Sequence, residues 1–106
     1  MRLTPEDAKI EIIGTCTAMI DGKLNLIKGC RKLALLRRDI GATEDEMFHP
    51  FIAVDSETDH FPLGEMRKQC SQSYLRKSDS EMDAYFEGAS QEIIDACKKL
   101  IKNINR

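Results

Sequence analysis

Apolar residues recur at steps of three and four along the last quarter of the chain, from Ser78 to Asn105. They are Met82, Phe86, Ala89, Ile93, Ala96, Cys97, Leu100 and Ile104. At about 100° per residue these positions form one narrow stripe on a helix, with polar side chains on the other side. Acidic residues fill the first half of the run and basic residues its end, the order that the helix dipole favours. The pattern predicts one long amphipathic helix, capped by Ser78 or Asp79, whose stripe the rest of the chain covers.

Two further apolar patterns with helical spacing precede it. The first begins at Thr4-Pro5, a capping residue followed by a residue suited to the first turn, and ends at residues 21–22. The second runs from about Lys23 to Asp39, with Gly41 as its stop. The short connection predicts an antiparallel helical hairpin. Because the second helix is apolar over a wide arc, it either packs centrally against two neighbours or leaves one edge for a partner.

The middle of the chain, residues 43–77, has the least regular pattern. Thr43 can cap a turn over residues 44–46, and Pro50 suits the first turn of a short helix. That helix would carry Phe51, Ile52 and Val54. A strand over residues 51–54 is the alternative, but the chain offers no second strand to pair with it. Residues 65–77 predict one or two more helical turns, with these side chains directed inward: Met66, Tyr74 and Leu75.

Together these elements predict an all-α fold with a single domain over residues 1–106. The N-terminal hairpin, an irregular middle with one small helix, and the long last helix would form a bundle. A chain of 106 residues can bury a core without disulfides or metals. The predicted core comprises Ile12, Cys16, Met19, Leu26, Cys30, Leu33, Phe51, Val54, Phe86, Ile93, Cys97 and Leu100.

Composition narrows the class of protein. A formal net charge of −2 at pH 7 argues against a strongly basic nucleic-acid binder. The first residues are polar and do not resemble a signal peptide, and no apolar run is long enough to span a bilayer. The sequence therefore predicts a cytoplasmic protein that binds neither nucleic acid nor membranes.

The four cysteines form no C-x-x-C pair. Cys16, Cys30 and Cys97 fall on the apolar faces of predicted helices, which predicts buried free thiols. Cys70 has a more polar setting and is the thiol best placed to react. No base stands beside it in the sequence, so a nucleophilic role is weakly supported.

The run from Asp55 to His60, D-S-E-T-D-H, places three carboxylates and an imidazole within six residues. Four interpretations compete. They are a divalent-metal site, a pair of catalytic carboxylates, an acidic contact surface for a basic partner, and a turn whose side chains only cap and pair locally. The spacing matches no standard metal-binding loop, and no nucleotide-binding or zinc-finger motif occurs in the chain. His49 and His60 are more typical of structural hydrogen bonding than of metal binding.

Charge is distributed in blocks. Residues 23–38 carry six basic side chains and no acidic one, whereas residues 44–65 carry seven acidic side chains and neither Lys nor Arg. The two blocks either pair with each other inside the monomer or form a bipolar surface that holds a charged partner. Because exposed ion pairs add little stability, the blocks hint at recognition.

The stretch from Phe51 to Gly64 resembles the signature of a family of small bacterial proteins of unknown function. Its pattern is an apolar pair, then D-S-E-T-D-H, then an apolar residue and proline, and Arg67 and the long last helix also fit it. The resemblance implies an all-helical fold and no established activity. Proteins of this size and charge are similar in build to immunity proteins, which neutralise a toxin domain in the same cell.

We therefore predict a non-catalytic protein-binding module, specifically an immunity-type inhibitor that occludes a toxin or another basic partner. The contact surface would consist of Asp55, Glu57, Asp59, His60, Glu44, Asp45 and Glu46. No catalytic residue, cofactor or metal is predicted. The alternative is a small metal- or ligand-responsive sensor or enzyme that uses the Asp55–His60 cluster. The chain would be a monomer, or a homodimer through the wide apolar arc of the second helix.

Overall fold

The computed structural model describes residues 3–41 and 46–104, and all regular structure in these ranges is helical. The helices are α1 (Pro5–Ile20), α2 (Leu26–Leu36), α3 (His49–Thr58) and α4 (Gln72–Ile104), with 3-10 helices at Glu46–Phe48 and Gly64–Gln69. The predicted all-α bundle is confirmed. The strand alternative for residues 51–54 is wrong, because those residues lie within α3. The predicted cap at Thr43 lies outside the described residues.

Side-chain oxygens fix where α1 and α2 begin. Thr4 caps α1 as predicted, accepting a hydrogen bond of 3.2 Å from a backbone N–H of the first turn. α2 begins later than predicted, because the Asn25 side chain accepts hydrogen bonds from the N–H groups of Ile27 and Lys28 at 2.9 and 3.1 Å. The helix also ends earlier than predicted, since residues 37–41 form turns. Local capping therefore shortens α2 within a longer apolar pattern.

The start of α4 also differs from the prediction. The helix begins at Gln72, and the Ser71 hydroxyl oxygen accepts a hydrogen bond of 3.2 Å from the N–H of Tyr74. Ser71 is thus the cap. Ser78, one of the two predicted caps, is buried inside the helix, and Asp79, the other, forms an ion pair described below. Both predicted caps are wrong. The first turns of α4 carry no apolar stripe, so the hydrophobic pattern places the start of the helix too late.

The predicted inward side chains between residues 65 and 77 are also largely wrong. Met66 is 63% exposed and Tyr74 is 46% exposed, whereas Leu75 is partly buried. The second 3-10 helix, Gly64–Gln69, buries none of its residues. Polar contacts rather than apolar packing must therefore hold this segment against α4.

The core forms where the apolar faces of the four α-helices meet. The predicted members that are buried are Ile12, Cys16, Met19, Cys30, Leu33, Phe51, Val54, Ile93, Cys97 and Leu100. Leu26 and Phe86 are only partly buried, whereas Ile27 and Met82 form a second, smaller cluster with Phe61. Within the described ranges, no helix combines the length and the apolar character that crossing a membrane requires.

Three of the four free thiols lie in the core, as predicted, and Cys70 is partly exposed. The sulfur of Cys97 lies 3.8 Å from the sulfur of Met19. Burial raises the pKa of Cys30 to about 12, so this thiol stays protonated near neutral pH. The buried cysteines therefore act as small apolar side chains.

A bidentate ion pair holds the second 3-10 helix to α4. The Arg67 guanidinium donates hydrogen bonds of 2.8 and 2.9 Å to the carboxylate of Asp79 and one of 3.4 Å to the carbonyl of Pro62. The hydrogen bonds from Arg67 hold the pKa of Asp79 below its usual range. Because the 3-10 helix buries no residue of its own, we infer that this pair fixes its position.

Replacement of Asp79 by asparagine is expected to loosen residues 64–71 and to lower stability at neutral pH. Since the folded-state pKa is lowered, the stabilisation is present above the unfolded-state pKa of about 3.9 and is lost as pH falls through the folded-state pKa. The difference in free energy of unfolding between wild type and Asp79→Asn, measured by urea denaturation, should therefore shrink in acid. Amide exchange should locate the change in residues 64–71. A difference that persists unchanged at low pH would mean that the carboxylate charge is not its source.

Candidate partner-binding groove

Arg31 of α2 provides a counter-charge for the first carboxylate of the acidic run. Its Nε lies 3.5 Å from Oδ1 of Asp55, and its Nη2 donates a hydrogen bond to the carbonyl of Thr58. Thr58, the last residue of α3, is fully buried and donates its hydroxyl to the carbonyl of Val54 at 2.6 Å. A cation at the C-terminal end of a helix is favourable. These contacts fasten α3 to α2 and occupy Asp55 internally.

Glu57 points from α3 towards α4. Its Oε2 accepts a hydrogen bond of 2.8 Å from the hydroxyl of Tyr85. Burial, and then this hydrogen bond with the Glu57 carboxylate, raise the pKa of Tyr85 to about 12. The phenol therefore stays protonated and acts as the donor to Glu57.

The remaining predicted contact residues lie in different places. Asp59 and His60 are exposed just beyond the end of α3, where the His60 ring centroid lies 4.2 Å from that of Phe61. Glu46 is exposed at the start of the first 3-10 helix. Glu44 and Asp45 lie outside the described residues. The structure therefore separates the predicted contact residues into two groups. Glu46 and Glu57 face α4, whereas Asp59 and His60 do not line the space between α3 and α4.

Two adjoining cavities lie between α4 and the segment formed by the first 3-10 helix and α3. The larger, of about 470 Å³, is lined by Glu46, Met47, Pro50, Glu92, Asp95, Ala96, Lys99 and Asn103. The smaller, of about 210 Å³, is lined by Pro50, Ala53, Val54, Glu57, Tyr85, Ala89, Glu92 and Ile93. Pro50 and Glu92 belong to both. We call the two cavities together the α3–α4 groove.

The charges around the α3–α4 groove are unbalanced. Among the described residues, one cation, Lys99, and four carboxylates line it. The carboxylates are Glu46, Glu57, Glu92 and Asp95. Asp95 accepts a hydrogen bond of 3.0 Å from the Gln91 amide, which leaves its charge in place. Within residues 3–41 and 46–104, neither Glu46 nor Glu92 has an ion-pair partner. The groove is therefore a concave surface of negative potential.

Small and apolar side chains form much of the remaining lining. Ala53 comes from α3, Ala89 and Ala96 come from α4, and Pro50 joins the two cavities. Small residues let a bound segment approach the backbone closely, and the carboxylates stand at the sides. The arrangement suits a cationic side chain with an aliphatic stem.

Sequence reasoning missed Glu92 and Asp95. Both are polar positions of α4 beside the apolar stripe, where periodicity predicts a solvated face. Nothing in the pattern tells which polar flank of α4 lies against α3. The only available signal was the proximity of both residues to the stripe.

The geometry bears on two alternatives that the sequence left open, a metal site and internal pairing of the basic and acidic blocks. Over the part of the chain that the structure describes, no group of three or more His, Cys, Asp or Glu side chains is placed to hold a metal ion. Of the ion pairs formed there, Arg31–Asp55 alone joins the basic block of residues 23–38 to the acidic block of residues 44–65. The other acids of that block that the structure describes, Glu46, Glu57, Asp59 and Glu65, form no ion pair with the basic block.

Comparison with known proteins gives one family. The family described as protein of unknown function (DUF2489) matches residues 6–100. Neither the curated proteins nor the solved structures contain a match. Since the family match extends over nearly all of the chain, from α1 into the last turns of α4, the protein belongs to the DUF2489 family of proteins of unknown function.

Proposed function

We propose that this protein is a non-catalytic binding module that holds a positively charged segment of a partner protein in the α3–α4 groove. The observation that carries the proposal is a concave site whose described lining has four carboxylates and one lysine. Complementary charge steers association and sets specificity. A cavity of several hundred Å³ can also enclose much of a bound side chain.

The two walls of the groove are suited to binding without rearrangement. α4 is a continuous helix of 33 residues, and α3 is fastened to α2 through Arg31 and the buried Thr58. Rigid walls lose little conformational entropy when a ligand binds, which favours affinity. Glu57 is likewise held in place by the Tyr85 hydroxyl.

The specific form of this proposal is an immunity-type inhibitor. Such a protein acts by occlusion, since its carboxylates cover the cationic surface that a toxin uses, and no bond is made or broken. The role needs a charged, rigid and concave surface, which the α3–α4 groove offers. It does not need Asp55, whose charge Arg31 already compensates. Asp59 and His60 would contribute at most to the rim.

Neutralisation of the groove is expected to weaken binding of a cationic peptide. The variant Glu46→Gln/Glu92→Gln/Asp95→Asn keeps side-chain size and leaves the Glu57–Tyr85 hydrogen bond intact. With an oligolysine peptide as the probe, its dissociation constant, measured by calorimetry at low ionic strength, should rise by about tenfold or more. Binding to the wild type should weaken as salt is added.

A matched control carries the same change in net charge on other surfaces. Asp21→Asn/Asp83→Asn/Glu87→Gln alters three exposed acids that do not line the groove. This triple variant should bind the peptide nearly as well as the wild type. Equal weakening by both triple variants would contradict the proposal, because it would show that overall charge alone attracts the peptide. Failure of the wild type to bind any oligolysine would reject the groove as a cation site.

The inhibitor form has its own test. If a toxin-like reading frame adjoins the coding sequence, its product is the natural probe in place of oligolysine. The groove variant should then lose protection of cells that express this product, while the control triple retains it. Protection by the groove variant would leave a binding module but refute occlusion through the groove.

A further inference from the structure

One side of α4 is exposed over about five helical turns. Its residues recur at alternating steps of four and three, which places them on a single line along the helix. They are Lys77, Glu81, Ala84, Gly88, Gln91 and Asp95, all of them exposed. We call this line the outer face of α4. It runs beside the α3–α4 groove, and Asp95 belongs to both.

Gly88 is the least expected residue of the outer face. It lies inside a helix of 33 residues, where glycine is about 1 kcal/mol less favourable than alanine. Apart from its own helix, a Cβ at this position would meet none of the described residues within 4 Å, and its φ is not in the left-handed region. No contact with a described residue therefore requires glycine here. Close approach of another backbone is a common reason for such a residue.

The charges on the outer face are self-complementary when two copies of α4 lie antiparallel. With two copies antiparallel and centred on position 86, Lys77 faces Asp95, Glu81 faces Gln91, and Ala84 faces Gly88. The charged pairs lie at the two ends, about 27 Å apart along the helix, and the two smallest residues lie at the centre. A parallel arrangement would instead oppose each charge with a like charge.

We propose that the protein forms an antiparallel homodimer through the outer face of α4, with Lys77 of each copy paired with Asp95 of the other. The arrangement is isologous, so that both ion pairs form at once and the assembly closes at two copies. Within each copy the Gln91 amide already holds Oδ1 of Asp95, which leaves Oδ2 for the lysine. Close packing of Ala84 on Gly88 brings the helices together.

The exposed ring of Tyr74 lies one turn beyond Lys77, at each end of this contact. In the dimer it lies opposite residues 98–99 of the second copy, where the ammonium of Lys99 can rest on the aromatic face. Lys99 is the cation that lines the α3–α4 groove. Dimerisation therefore engages both Asp95 and Lys99, so a cationic partner in the groove and a second copy compete. The inference shares Asp95 with the proposed function but does not otherwise rest on it.

Charge exchange tests the pairing. Sedimentation equilibrium of the full chain at concentrations up to about 0.5 mM should show a monomer–dimer equilibrium of the wild type, because a small polar interface gives a weak complex. Lys77→Glu and Asp95→Lys should each weaken dimerisation by about tenfold or more, since each places like charges together at both ends. The double variant Lys77→Glu/Asp95→Lys should restore it to within about threefold of the wild type.

Two controls separate the interface from general effects of charge and helix propensity. Lys28→Glu makes the same change in charge on α2, and it should leave dimerisation unchanged. Gly88→Gln places a large side chain at the centre and should abolish dimerisation, whereas Gly14→Gln in α1, where a Cβ is equally free of contacts, should not. A wild type that remains monomeric at every concentration, or a double variant that stays monomeric, would overturn the inference.

The same variants keep this inference distinct from the proposed function. Lys77→Glu does not alter the groove, so it should keep oligolysine binding while losing the dimer. The double variant should regain the dimer. It should still bind oligolysine more weakly than the wild type, because it lacks Asp95 in the groove. Peptide binding that follows the groove acids, with no dimer in the wild type, would leave the proposed function standing and remove the dimer.

Discussion

Replacement of Phe48 by alanine is expected to lower the free energy of unfolding by about 3–5 kcal/mol. The ring is fully buried in the main core and lies where the first 3-10 helix meets α3. Its removal loses the transfer free energy of the ring and leaves a cavity that the fixed start of α3 closes only in part. A small domain has about 5–15 kcal/mol in total, so the variant should unfold at much lower urea concentration. Circular dichroism in urea measures this shift.

Phe86→Ala is the matched control for Phe48→Ala. It deletes the same atoms from α4, but Phe86 is only partly buried and lies beside the smaller cluster. The loss should be about half as large, because less apolar area returns to water. Equal losses in the two variants would contradict the assignment of Phe48 to the centre of the core. Phe48 also lies between Glu46 and Pro50 of the groove lining, so the folded fraction of Phe48→Ala should bind oligolysine more weakly as well.

The sequence predicts best those helices that the burial of apolar side chains stabilises. α1 and the C-terminal half of α4 each present a periodic stripe, whereas α3 was predicted from Pro50 and from the lack of a strand that could pair with residues 51–54. The ends of α2 and the start of α4 depend instead on the single side chains of Asn25 and Ser71. Many residues of the chain could serve as such caps, so periodicity does not select among them.

The position of the first turns of α4 is also not predictable from the hydrophobic pattern. Residues 72–77 have no buried apolar side chain, and the neighbouring 3-10 helix buries none of its residues. The ion pair of Arg67 with Asp79, twelve residues apart in the chain, is the contact that we infer to position this segment. A hydrophobic pattern contains no information about such a pair. For this reason Met66 and Tyr74 were expected inside and are exposed.

Of the two walls of the candidate site, the sequence predicted only the one that faces α4. The acidic block of residues 44–65 pointed to a negative surface, and Glu46 and Glu57 of that block do line the groove. The opposite wall is contributed by α4, whose acids look like ordinary solvated positions in the sequence. Internal pairing of Asp55 with Arg31 depends on how α2 packs against α3, which the sequence leaves open.

Replacement of Gly29 by alanine is expected to lower the free energy of unfolding by about 1–3 kcal/mol, although alanine is the better helix former by about 1 kcal/mol. A Cβ at Gly29 would overlap Sδ of Met19 and would lie 2.6 Å from its Cγ. Met19 is fully buried, and the Cys97 sulfur lies 3.8 Å from its own sulfur, so the methionine has little room to retreat. Urea denaturation of both proteins measures the loss.

Gly14→Ala supplies the opposite expectation for the same substitution. Gly14 lies inside α1, and a Cβ there would meet no described residue outside its own helix within 4 Å, so stability should rise by about 0.5–1 kcal/mol. A double-mutant cycle then identifies the clash at Gly29. Met19→Ala alone opens a cavity, but in the Gly29→Ala background it also relieves the overlap, so the two losses should be less than additive by about 0.5–3 kcal/mol. Additive losses would mean that some other contact of Gly29 excludes a side chain. Non-additivity would show that α1 and α2 pack closely because glycine leaves space for Met19.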